Sequence, residues 1–126
     1  MRKLPLSIEA MRALKPALQG AQGTIKREIK QGTSKLYQTD NANLIVVIRR
    51  EGNTAVFVAV AGTKLYQAQD ELIGFARINH FTSIRFHTTH PERLRKGLAG
   101  LPIKRVAIRK SLFGRDEWIY LLELNQ

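Results

Sequence analysis

The chain has 126 residues, 44% hydrophobic and 25% charged, no cysteine and a formal net charge of +11. This balance predicts one globular domain over residues 1–126 with a core of its own and excludes a disordered basic tail. The missing thiols exclude disulfides, thiolate zinc sites and cysteine nucleophiles.

Ser7 reads as an N-cap, with Ile8, Met11, Leu14 and Leu18 following at helical spacing. Pro16 is expected to kink or divide this helix, and Gly20 and Gly23 to end it. Residues 24–31 fit a short helix or an exposed strand, so residues 1–40 read as a helical, more exposed segment. Leu44–Ile48 and Thr54–Ala61 are rich in β-branched residues and flank a Glu51-Gly52-Asn53 tip, which predicts a central antiparallel hairpin. Residues 65–78 read as a helix through Leu65, Ala68, Leu72 and Ala76. Gly74 leaves open a turn followed by a strand from Leu72. Thr82–Thr89 alternates as a strand, with Ile84 and Phe86 on one face and Arg85 and His87 on the other. A short helix starts at Pro91 and closes at Gly97, Gly100 and Pro102. Ile103–Phe113 and Glu117–Leu124 form a second hairpin around Gly114-Arg115-Asp116. The order α-β-β-α-β-α-β-β implies an α+β fold, a mostly antiparallel sheet of about five strands with two to three helices.

No secretory signal is read at the N-terminus, because Pro5, Glu9 and Arg12 interrupt any apolar run. The apolar stretch from Leu44 to Gly62 is broken by Arg49-Arg50-Glu51-Gly52-Asn53, too soon to span a bilayer. A cytoplasmic protein with no membrane partner is expected.

The charge is most one-sided over residues 81–112, where Arg85, Arg93, Arg95, Lys96, Lys104, Arg105, Arg109 and Lys110 face Glu92 alone. If the strand after the basic helix lies beside the Thr82–Thr89 strand, these groups form one stripe that can neutralise phosphates. Tyr37, Tyr66, Phe75, Phe81 and Tyr120 are candidates for base stacking, whereas Trp118 and Phe86 read as core. The expected function is a nucleic-acid-binding module or accessory subunit, for DNA or RNA, without enzymatic activity.

The alternative is a metal-independent endoribonuclease. His80, His87 and His90 fall within eleven residues, and His87 and His90 with Arg85 and Arg93 could supply proton transfer and charge stabilisation. A second alternative is a basic face docking onto an acidic protein. The histidines lack the spacing of a metal set, and no P-loop or other cofactor signature is present, so neither metal nor cofactor is implied. Asp70-Glu71 and Asp116-Glu117 read as surface or turn pairs, and Gly97-x-x-Gly100 as a helix stop.

Overall fold

The computed structural model describes residues 1–18 and 21–124; the helix end expected at Gly20 lies outside them. Seven strands and four helices are present among the described residues, correcting the expected five strands and two to three helices. In chain order they are β1 (Arg2–Lys3), α1 (Ile8–Leu18), α2 (Gln22–Gln31), β2 (Ser34–Gln38), β3 (Ile45–Glu51) and β4 (Thr54–Ala61). These are followed by α3 (Leu65–Ile78), β5 (Ser83–Thr88), α4 (Pro91–Gly97), β6 (Lys104–Arg109) and β7 (Glu117–Glu123). One sheet, ordered β1-β2-β3-β4-β5-β7-β6, contains all seven strands. Its pairs are antiparallel except β4 with β5, which run parallel and are joined through α3. A parallel pair requires such a crossover, and its helix is free to cover one face of the sheet.

The differences from the expected pattern have local causes. The first helix starts where Ser7 Oγ accepts the Ala10 N–H at 3.1 Å. It continues two residues beyond Pro16, which falls in the last turn and divides nothing. Gly23 lies inside α2, whose Ile25 is buried, so the ambiguous 24–31 segment is helix. It ends at Gly32, whose φ of 81° suits a residue without a side chain. The two unforeseen strands, β1 and β2, are short. They add to the β3 edge by antiparallel pairing.

Helices α1 and α2 cover one face of the sheet. Ala10, Leu14, Leu18 and Ile25 pack there on Leu36, Val47 and Ala59. Helices α3 and α4 cover the other, where Ala68, Leu72, Ala76, Leu94 and Leu98 meet Val46, Phe57, Ile84 and Phe86. The β3–β4 hairpin turns at Gly52 (φ 62°) and is covered on both sides, as its two-sided apolarity predicts. Its ladder is irregular at one point: Val47 faces Ala59 and Ile48 faces Phe57, leaving Val58 as the extra, bulged residue. Gly74 is accommodated inside α3, where an added Cβ would meet nothing within 4 Å. No helix among the described residues is long and apolar enough to cross a membrane.

Candidate active-site cleft

The parallel strands separate partway along their length. β4 pairs with β5 only from Thr54–Phe57 against Ser83–Phe86, yet β4 continues to Ala61 and β5 to Thr88. The bulge at Val58 falls where the separation begins, and a bulge re-aims a strand. Beyond it, no strand among the described residues pairs with Val58–Ala61 on the β5 side or with His87–Thr88 on the β4 side. A cavity of about 640 Å³ occupies this wedge, a volume suited to a small-molecule ligand. Its position, at the C-terminal ends of neighbouring parallel strands, is where sheets of this kind receive ligands.

Four elements wall the wedge. Ala13, Pro16 and Ala17 of α1 close one side. The β4–α3 turn contributes Gly62 and Thr63, followed by Leu65, Tyr66 and Gln67 of the first turn of α3. No side chain caps that turn and no acidic residue lies in it, so its N–H groups and dipole favour an anion. Arg93, Lys96 and Gly97 of α4 complete the wall, with His87, Thr88, Thr89 and His90 at the end of β5. No carboxylate lines the cavity among the described residues.

Two glycines permit this close assembly. At Gly62 φ is 134°, and a Cβ there would run into the buried Leu44 side chain. At Gly97 a Cβ would stand 2.7 Å from Leu65 Cβ. Gly97 is the last residue of α4, as its reading as a helix stop expects, and it is also the point of contact with α3.

The eight cations expected to form a stripe are dispersed. β6 lies at the sheet edge, with β7 between it and β5, so Lys104, Arg105, Arg109 and Lys110 are not beside Arg85. Acidic residues from outside the 81–112 block pair several of them. Arg85 Nη2 lies 2.9 Å from Glu51 Oε1, Arg109 Nη1 3.2 Å from Glu117 Oε1 and Lys110 Nζ 3.2 Å from Asp116 Oδ2. Arg95 Nη1 donates to Tyr120 Oη at 2.8 Å, and Arg105 lies over the Trp118 ring. Only Arg93 and Lys96 of the eight line the wedge among the described residues. The expected stacking aromatics are also mostly engaged. Tyr37 and Phe75 meet edge to face, Phe81 lies beneath Arg50, and Tyr120 is buried. Tyr66, 61% exposed, lines the wedge.

The histidines separate as well. His80 sits exposed after α3 with a φ of 64°. His87 is held within the sheet, its Nε2 accepting from Arg85 Nε at 3.0 Å. Its Nδ1 lies 3.3 Å from Glu117 Oε1, an ion-pair distance without hydrogen-bond alignment. The imidazole, with Arg109 and Arg85 nearby, holds the Glu117 carboxyl below the usual carboxylate range. His90 lines the wedge, and burial with the Arg115 and Arg93 guanidinium groups pushes its imidazole below its ordinary value. No group of three or more potential metal ligands occurs among the described residues.

No protein-family model and no curated protein sequence matches the chain. Among solved structures it is similar to the ribosomal-protein-S18-alanine N-acetyltransferase from Escherichia coli. The TM-score is 0.62 at 16% identity, covering 98% of this chain and 93% of that one. The ribosomal-protein-alanine N-acetyltransferase from Brucella melitensis overlaps less well, with a TM-score of 0.49 at 11% identity over 85% of this chain and 78% of that one. The chain therefore shares its fold with the Escherichia coli structure. This corrects the reading of the chain as a non-enzymatic nucleic-acid-binding module, along with the endoribonuclease alternative. The nucleic-acid reading rested on a cationic stripe that the sheet order breaks up. The cleft, by contrast, had no signal in the sequence, since its walls come from four separate segments and its shape from the divergence of two strands.

Proposed function

We propose that the protein is an N-acyltransferase, moving an acyl group from a thioester of coenzyme A to an amine. The observation that supports this most directly is the wedge at the diverging ends of β4 and β5, on a fold shared with an enzyme named for acetyl transfer to alanine nitrogen. A coenzyme A thioester supplies an activated acyl group on an amide-bearing arm with phosphates at its far end. The residues present fit each part of it. Unpaired backbone groups of β4 and β5 can bond the amides of an extended arm as a missing strand would. The first turn of α3, with Lys64 at its N-cap and Lys96 and Arg93 across the cleft, offers N–H groups and cations to the phosphates. Pro16, Ala17 and Leu65 give the walls an apolar character that keeps water from the reacting carbonyl.

Titration calorimetry with coenzyme A tests the binding, and acetyl-coenzyme A with a peptide bearing a free α-amine, followed by mass spectrometry, tests the transfer. Saturable binding weakened by salt and by K96E is the expected result. Absence of coenzyme A binding at millimolar concentration would overturn the reading.

A further inference from the structure

We propose that His90 takes the proton from the acceptor nitrogen during transfer, an inference that rests on the acyltransferase reading above. No carboxylate lines the cleft among the described residues, so proton acceptance falls to another kind of group. His87 and His90 are the cleft-lining side chains whose type titrates near neutrality. They differ in what they touch. Both ring nitrogens of His87 face partners, Arg85 on one side and Glu117 on the other, and its side chain is only 8% exposed. The His90 ring has no hydrogen-bond partner among the described residues, while its backbone is fixed. Its N–H donates to Thr88 Oγ1 at 2.9 Å and its carbonyl accepts the Leu94 N–H at 3.1 Å. His90 stands at the N-cap of α4, yet its side chain caps nothing. A capping role therefore does not account for an imidazole at this position.

The charged neighbours of His90 are cations. Arg93 lies on α4, and Arg115, in the turn between β6 and β7, is tied to the cleft rim where its Nε donates to the Thr89 carbonyl at 2.9 Å. Facing the same cavity, α1 presents Ala13, Pro16 and Ala17, and the β4–α3 turn presents Gly62 and Thr63, none of them acidic. Glu117 is engaged with His87 and Arg109. Burial and the two arginines hold the His90 imidazole neutral at neutral pH, the form that accepts a proton. The same positive field disfavours an ammonium ion, so the acceptor is favoured as the neutral amine that can attack. Donor phosphates offset part of the field and raise the His90 pKa back toward the working pH, where a general base is most effective. In the step itself the amine nitrogen bonds to the thioester carbonyl carbon and the carbon–sulfur bond breaks. The proton on nitrogen passes to His90 and then to the departing thiolate, which leaves as a thiol.

The test follows the histidines by NMR, assigned through H80Q, H87Q and H90Q, with coenzyme A as the probe. Transfer from acetyl-coenzyme A to a peptide α-amine is measured on the same proteins. His90 should titrate below its ordinary range in the free protein and move upward when coenzyme A binds. H90Q should bind coenzyme A as the wild type does, lose roughly 10²–10⁴ in kcat and lose the acidic limb of the pH profile, whereas H80Q should do neither. Coenzyme A binding that leaves the His90 titration unmoved, or H90Q with undiminished rate and limb, overturns the assignment and leaves the acyltransferase reading standing. Wild-type protein that fails to bind coenzyme A, or binds it and acetylates no amine, overturns both.

Discussion

Replacing Gly97 by alanine sets two opposing effects against each other, and the geometry decides between them. Alanine is the better helix former by about 1 kcal/mol, so propensity alone predicts stabilisation of α4. The added methyl, however, would stand 2.7 Å from Leu65 Cβ and 2.6 Å from Leu65 Cγ, where carbon atoms prefer about 3.5–4.0 Å. Changing the Leu65 rotamer moves Cγ but not Cβ, which is fixed to the backbone of α3. The two helices must therefore part by about 1 Å, an overpacking cost of about 1–3 kcal/mol. Only part of the interior propensity gain applies at Gly97, the last residue of α4. The net expectation is therefore a loss of about 0.5–2.5 kcal/mol, read in urea unfolding as a lower midpoint at unchanged slope. Adding L65A removes the contacts at Cγ and beyond but leaves the one at Cβ, so the double variant should regain only part of the steric loss. Both residues line the cleft, so coenzyme A affinity should fall together with stability. A G97A protein as stable as the wild type would show that the α3–α4 contact yields freely, and the reasoning would fail.

Thr39 is fully buried, donating from Oγ1 to the Asn41 carbonyl at 2.6 Å and accepting the Leu44 N–H at 2.8 Å. T39V keeps the volume but strands the Leu44 donor, so a loss of about 1–3 kcal/mol is expected in urea unfolding; an unchanged midpoint would contradict it. Glu117 is depressed by His87, then by Arg109 and Arg85. Its contribution is thus present above the unfolded carboxyl value of about 4.3 and is lost as pH falls through the lower folded value. E117Q should be less stable than wild type at pH 7, with the gap closing on acidification. A gap of constant size from pH 7 to pH 3 would remove the linkage.

Patterns that repeat within a few residues were legible in the sequence, and those that depend on distant neighbours were not. The β3–β4 hairpin announced itself through two β-branched runs and a Gly52-Asn53 tip, all within one contiguous stretch. Strand β2 did not, and the reason is visible in a repeated tetrapeptide. Lys35-Leu36-Tyr37-Gln38 is the body of β2, whereas Lys64-Leu65-Tyr66-Gln67 opens α3. The same four residues support either state. In β2 the choice falls to the β3 edge, where Leu36 lies opposite Val47 beneath α1 and α2. In α3 it falls to Ala68, Leu72 and Ala76, which continue the helical stripe into the core. Tertiary burial overrides a propensity this weak. The number of strands, and with it the parallel β4–β5 pair, followed from contacts that no short window contains.

The charge pattern was misread for a related physical reason. A count along the chain treats neighbours in sequence as neighbours in space, yet successive strands of this sheet are not all adjacent. Glu51, Asp116 and Glu117 lie outside the 81–112 block and pair with Arg85, Lys110 and Arg109 within it. Two of the block's cations, Arg93 and Lys96, line a cleft that has no carboxylate among the described residues. That distribution bears on function more directly than the total of +11. A solvated surface tolerates cations anywhere, but cations brought together in a concave site repel one another unless a ligand neutralises them. Burial, and then the Arg115 and Arg93 guanidinium groups, depress His90 in the same place. Under the proposed acyl transfer, this arrangement favours an anionic donor, a neutral amine acceptor and an unprotonated imidazole at the same place.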